Sequence, residues 1–556
     1  MTTVRVRFAA PATREVETDG ATWLVDATTP GALVRAIREG EDVAATMRAL
    51  PADDAVVARV DPDGTLDAYR SVTATRVLYL VDREDDPALL TDNFRSALAA
   101  VPVAERSVPR RAIADHLLFR SPIEPTTYVS QVRALPHGTW LHRDGATGAV
   151  STRQVGRVTA ATERSRGQAV DALEGSLAAV LAESVPDRAA TMLSGGTDST
   201  LLHTFRADDP AFVMTCDSPE VGFEYENAAR ASDALGVTPR RVRLDEDSFL
   251  TALEASIDAL GSPSHYHQTV LTNHALRRDG GDWYVNGAGA DSLFGVPSVK
   301  AAKLAGLLSP LLAVPGAKPL CRHGLGQLSA IPRRLCDLVQ RLDRPLGDPR
   351  SLAVDLAFFT DPSLVARMTD RDTVTDRVDR QVEYVRERAA HTGESRFARH
   401  AECGHWLSFF QHDGVSQWRQ LGHVHDSSLV TPFTTARVAR TALSVAPEDR
   451  FVGPLGDMRP KHVPKALLER RLPAYSPGNR KGSGSLPVAR YFADGPLGAV
   501  FDRYDPPGFV PPSLTDRHVD RFGPVTWNLL TFAVWRDRVL RDPALDPVPA
   551  VAVVRG

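Results

Sequence analysis

"MLSGGTDST", residues 192–200, lies between a short apolar run and a helix-like stretch. Its reading decides the fold. A glycine-rich turn between a strand and a helix offers free backbone N–H groups at the positive end of a helix, which suits phosphate. Gly195 and Gly196 carry no side chain, so the backbone can approach phosphate oxygens closely. Ser194, Ser199 and Thr200 add hydroxyl donors. The loop lacks the lysine of the commonest phosphate loop, which reaches the β and γ phosphates. It carries Asp198 instead. A carboxylate beside polyphosphate is repelled unless a cation lies between them, so Asp198 points to Mg²⁺. The plainer reading of the same letters is a turn with Asp198 as helix cap.

A second strand-to-glycine loop, "NGAGADSLFG" at 286–295, carries another acid, Asp291. In a doubly wound sheet, loops at the carboxyl ends of strands share one crevice. Asp198 and Asp291 are therefore expected to hold one or two Mg²⁺ against a pyrophosphate. The plainer reading of Asp291 is a solvated loop acid.

The surrounding pattern supports a parallel sheet. "GQAVDALEGSLAAVLAESV" places Val170, Leu173, Leu177, Val180 and Leu181 on one helical stripe. The strands "RAATMLS", "AFVMTCD", "PRRVRL" and "WYVNG" alternate with the helices "TDSTLLHTFRA", "YENAARASDALG", "DSFLTALEASIDAL" and "TVLTNHALRRDG". That order argues for a parallel α/β sheet over about 185–300. Beyond 300 the chain reads as mostly helical. The first part reads as β-rich, with "TVRVRF" alternating and "DAVVARVDPDGTLDAYRSV" folding about an Asp-Gly turn. "RRAIADHLLF" reads as a helix, and the stretch 151–165 as a polar linker. The expected domains are 1–160, β-rich, and 166–556, built on the parallel sheet with a helical extension.

Composition excludes several classes. The chain has 556 residues, 43% hydrophobic and 24% charged, with a net charge of −4. No general attraction to nucleic acid or anionic lipid follows. "AAKLAGLLSPLLAVPGAKPL", 301–320, is interrupted by Pro310 and Pro315 and carries Lys303 and Lys318. It reads as a buried helical hairpin, not a membrane span. Four cysteines without a CxxC pair fit a reducing cytoplasm, and the start of the chain has no signal-peptide pattern. The histidines, His265, His267, His405, His412, His423 and His425 among them, form no HExxH pattern.

"SGGTDST" matches the SGGxDS loop of the ATP pyrophosphatase superfamily, and the chain resembles its asparagine synthetase branch, with β-lactam synthetases and lasso-peptide cyclases. The order of weaker segments agrees. "YRSVTATRVLYLV" (69–81) resembles R-D-x-x-G-x-x-P-L-Y-Y, with Ser71, Ala74 and Val77 in place of Asp, Gly and Pro. "TTYVSQVRALPHGTWL" (126–141), "TPFTTARVARTALSVAPEDR", "KALLERRLP" and "NRKGSGSLP" are similar to further family elements. The resemblance implies an eroded Ntn-type glutaminase-like domain followed by an adenine-nucleotide α-hydrolase-like synthetase domain. It implies ATP and Mg²⁺ as cofactors. Leu193, Ser194, Gly195, Gly196, Asp198, Ser199, Met214, Gly287 and Gly289 would contact ATP, and Asp198 and Asp291 the metal. Glu224 and Lys481 would be catalytic. Lys465 is a second lysine candidate, within a basic group of Arg459, Lys461, Lys465, Arg470, Arg471, Arg480 and Lys481 that either closes over pyrophosphate or is a wet face.

Departures from the family pattern narrow the chemistry. Glutamine-dependent members expose an N-terminal cysteine once Met1 is removed, and residue 2 here is Thr2. Ser428 and Val430 stand where asparagine synthetases have the acid and arginine of E-x-R-x-P-F; Ser292 and Asn479 are further departures. The expectation is an AMP-forming carbon–nitrogen ligase that joins a carboxylate to an amine not taken from glutamine. The substrate would be a small molecule or peptide, the enzyme a lasso-type or lactam cyclase, with pathway proteins as possible partners. An ammonia-using asparagine synthetase and a catalytically silent nucleotide-binding scaffold are the alternatives.

Overall fold

The computed structural model describes residues 4–18, 20–40, 42, 54–83, 87–156, 163–216, 222–295, 354, 358–388, 403, 406, 413–446, 450, 460–477, 486–514 and 524–556. Strands β1 (Val4–Phe8), β2 (Arg14–Thr18), β3 (Ala21–Ala27), β4 (Ala55–Val60), β5 (Leu66–Arg70), β6 (Tyr79–Val81), β7 (Ala88–Thr91), β8 (Val132–Ala134), β9 (Thr139–Arg143) and β10 (Val150–Gln154) build the N-terminal region. They form two sheets. One runs β10-β9-β5-β4-β3-β2, antiparallel throughout. The other runs β16-β1-β7-β6-β8, where β16 is Ala552–Arg555. Alternating residues of the two, such as Val4, Val6 and Phe8 against Val56, Ala58 and Val60, share one buried cluster. The region is therefore a sandwich with a dry middle layer, as period-two alternation requires.

Two features differ from the sequence reading. The last strand returns to pair antiparallel with the first, so the end of the chain completes the N-terminal sheet. Residues 151–154, the start of the expected linker, belong instead to the edge strand Val150–Gln154, the second arm of a hairpin with β9 that the run ending in "GAVSTRQV" also suggests; its side chains are mostly exposed, so it carries no apolar alternation. The apolar stretch 301–320 falls outside the described residues.

The second region is a five-stranded sheet: β11 (Ala190–Met192), β12 (Ala211–Cys216), β13 (Arg240–Leu244), β14 (Trp283–Val285) and β15 (Ser428–Val430), in the order β13-β12-β11-β14-β15. Every pairing is parallel. Four of its strands are those expected. The fifth, β15, was not anticipated, because a three-residue strand followed by Pro432 has too little pattern to read. Helix Arg166–Ser184 opens with a capping box between Ser165 and Gln168, and its stripe Val170, Leu173, Leu177, Val180 and Leu181 is buried. Burying each such side chain contributes about 1.5–3 kcal/mol. Helices Gly222–Leu235, Phe249–Leu260 and His267–Asp279 follow, each ended by a glycine with positive φ, Gly236, Gly261 and Gly280. Helices Phe249–Leu260 and Pro524–Trp535 cover the outer face of the sandwich, where Phe249, Leu253 and Leu530 join Tyr79, Val81 and Leu89. The sandwich and the sheet region thus share a core.

Candidate functional site

Strand β11 delivers the first loop. Leu193 continues its ladder by donating to the Phe212 carbonyl at 2.9 Å, and is buried. Gly195 then turns with φ of +71°. A Cβ there would lie 2.2 Å from the Asn227 carbonyl oxygen, so no other residue lets the loop pass helix Gly222–Leu235. Gly196 leads into helix Thr197–His203. The serines lock the turn: Ser194 donates its N–H to Ser199 Oγ at 3.1 Å, the two hydroxyls stand 3.0 Å apart, and Gly196 N–H donates to Ser194 Oγ at 3.3 Å. Tyr475 Oη donates to the Gly195 carbonyl at 2.5 Å, a clamp with no sequence signal.

The second glycine loop packs onto the first. A Cβ on Gly287 would meet Asp198 Cβ at 2.9 Å, and one on Gly289, with φ of +96°, would meet Thr434 Cγ2 at 2.9 Å. Asp291 opens the π-helical turn Asp291–Gly295. The two expected acids come to one point. Lys461 Nζ lies 2.6 Å from Asp198 Oδ2 and 2.9 Å from Asp291 Oδ1. Burial lowers the Lys461 pKa, but the two carboxylates outweigh it and the net shift is upward, so the ammonium stays charged. Its backbone is left-handed, with φ of 59°, and its N–H donates to the Phe294 carbonyl at 2.8 Å. A buried non-glycine residue in that conformation costs about 1 kcal/mol or more and is characteristic of functional sites.

The expected basic group divides. Arg470 pairs with Asp171 and Glu174, and Arg471 with Glu174 and the Thr204 carbonyl, so both brace helix Arg166–Ser184. Lys465 is exposed. Only Lys461 of the described members reaches the two acids. Arg459, Arg480 and Lys481 lie outside the described residues, as does Thr2. Met214, half-buried on β12, and Glu224, half-buried in the first turn of helix Gly222–Leu235, stand on the neighbouring strand and its following helix. Lys461 was foreseen only as one of seven basic residues. Its spacing of four from Lys465 gave no reason to prefer it.

Residues 169–519 match the family described as asparagine synthase. This chain belongs to the asparagine synthase family. The match spans both glycine loops, Lys461 and Tyr475. Asparagine synthase family members are ATP-dependent ligases, and a loop that presents hydroxyls and backbone amides beside two acids suits the nucleotide they consume. A search of curated proteins found no match.

Strand β15 ties this site to the sandwich. Asp54, fully buried, accepts from Thr75 N–H at 2.8 Å and Thr75 Oγ1 at 2.7 Å, and pairs with Arg76 at 3.0 Å and Arg419 at 2.6 Å. Burial raises the Asp54 pKa, but the two guanidiniums and the Thr75 hydrogen bonds reverse the shift and hold it well below the usual carboxylate range. Arg419 also donates to the Leu429 carbonyl and, at 2.8 Å, to Thr431 Oγ1. Thr434 Oγ1 reaches Asp54 at 3.3 Å, and the same threonine abuts Gly289. Ser428 and Val430 are buried within this strand.

Proposed function

We propose that the chain activates a carboxylate with ATP, releasing pyrophosphate, and joins the acyl-adenylate to an amine that does not come from glutamine. The observation that carries this reading is the convergence of Asp198 and Asp291 on the single charge of Lys461, beside the serine-locked loop. Two carboxylates aimed at one cationic point, one of them with its side chain 52% exposed, fit a Mg²⁺ ion as well as an ammonium. Bound there, Mg²⁺ would neutralise pyrophosphate oxygens and ease their departure.

In this reading Ser194, Gly195, Gly196 and Ser199 cradle the phosphates, while Leu193, Met214, Gly287 and Gly289 line the nucleotide. The substrate carboxylate attacks the α phosphorus and pyrophosphate leaves. The amine nitrogen then attacks the acyl carbon, loses a proton, and AMP departs. With Mg²⁺ held by Asp198 and Asp291, Lys461 would be released to pair with phosphate oxygens. Glu224, also assigned through the family resemblance, is the acid that would meet the incoming amine. Lys481, assigned through the family resemblance, supplies positive charge as the amine attacks.

The replacement of the asparagine-specific acid and arginine by Ser428 and Val430 favours a substrate other than aspartate. A cyclase acting on a peptide or a small lactam precursor is the subclass we infer. The test has two arms. Glutamate release from glutamine should stay at background. Lys481→Ala should slow single-turnover amide formation at saturating ATP about a hundredfold. Rapid glutamate release abolished by Thr2→Ala, or an alanine variant within about threefold of wild type, would overturn the amine assignment or the Lys481 assignment respectively.

A further inference from the structure

A small cavity of about 30 Å³ lies where the sandwich meets the β15 edge of the parallel sheet, with Asp26, Arg76, Arg419 and His423 among its lining residues. Asp26 lies near the end of β3, Asp92 follows β7, and His423 lies in the last turn of helix Asp413–Val424, so three separate elements converge. One nitrogen or oxygen from each of Asp26, Asp92 and His423 lies within 4.8 Å of the other two. His423 Nδ1 is buried with no hydrogen-bond partner among the described residues, its side chain is only 8% exposed, and it stands 4.0 Å from Asp92 Oδ2. A buried ring nitrogen left unsatisfied costs about 1–3 kcal/mol unless something binds it.

We propose that Asp26, Asp92 and His423 form a binding site for one divalent transition metal ion of the zinc class, which pins the sandwich to the sheet region. The donor set, one imidazole and two carboxylates, suits zinc, with a water in the cavity as the fourth ligand. Both carboxylates are oriented as metal ligands usually are, Asp92 by hydrogen bonds and Asp26 by an ion pair. Asp92 accepts from the Ala9 and Ala10 N–H groups at 2.8 and 2.9 Å, and Asp26 Oδ1 meets Arg76 Nε at 2.8 Å.

The test uses the full chain stripped with a chelator and titrated with Co²⁺ in excess Mg²⁺, which occupies oxygen-rich sites. One Co²⁺ per chain should bind, with the visible ligand-field absorption of a low-coordinate nitrogen–oxygen site, and Zn²⁺ should displace it and raise the thermal midpoint. His423→Ala leaves the Asp92 hydrogen bonds and the Asp26 ion pair in place and should weaken Co²⁺ binding at least about tenfold. Asp198→Asn should leave the absorption unchanged. A wild-type chain that takes up no Co²⁺ under these conditions, or a His423→Ala chain with unchanged affinity, would overturn the site.

Discussion

Two acid–base clusters flank the second glycine loop, and they are built on opposite plans. Around Asp54, two guanidiniums and a threonine serve one fully buried carboxylate. Around Lys461, one ammonium serves two carboxylates, and the Asp291 side chain is half open to solvent. The first arrangement over-satisfies its acid and suits a permanent joint. The second shares one cation between two acids and suits exchange of partners. Thr434 connects them, touching Asp54 on one side and Gly289 on the other. A rigid joint beside an exchangeable site lets binding energy go into ordering ligands rather than the loop.

The comparison is easiest to break at the joint. Asp54→Ala should cost about 3–5 kcal/mol of stability in urea, because two buried arginines lose their partner. A loss under about 1 kcal/mol would mean the joint is not a joint. Its pH dependence has a definite sign. The folded pKa of Asp54 lies below its unfolded value of about 3.9. Its stabilisation is therefore present at neutral pH and is lost as pH falls below about 4 toward the folded value. Acid titration of wild type against Asp54→Asn, followed by circular dichroism, checks this; the variant should lack that part of the acid transition.

At the exchangeable site, activity should respond more than stability. Asp291→Ala should lower Mg²⁺-dependent ATP turnover about a hundredfold, roughly 2.7 kcal/mol of barrier, while the urea midpoint shifts little. Full turnover in that variant would remove the metal role. Lys461→Met should then sharpen the contrast. Without the ammonium the two acids repel, so stability should fall by about 1–2 kcal/mol, and added Mg²⁺ should restore it. A variant indifferent to Mg²⁺ would show that the acids do not share a cation site. Smallest of all, exposed Lys465→Ala should change stability by about 0.5 kcal/mol or less. A large effect would put Lys465, and not Lys461, at the site.

Much of this was legible in the sequence where local chemistry dictates local form. The SGG turn, the stripe from Val170 to Leu181 and the strand–helix alternation gave the parallel sheet, and Asp198 and Asp291 could be paired by the rule that strand-end loops share a crevice. What was not legible depends on distant chain. Lys461 lies 263 residues from Asp198. Its neighbours, "RPKH", carry neither periodicity nor a turn signal that marks a left-handed lysine. Tyr475, β15 and the returning strand β16 are likewise short or solitary, with their meaning set by partners hundreds of residues away. The Asp54 joint was invisible for the same reason.

The central claim is that ATP is cut between its α and β phosphates to activate a carboxylate. Phosphorus-31 NMR of the wild-type chain with MgATP and a panel of compounds bearing both a carboxylate and an amine tests it most directly. The account predicts AMP and pyrophosphate in equal amounts, formed only with a compound that is also consumed, and lost in Asp291→Ala. ADP with inorganic phosphate as the products would contradict it.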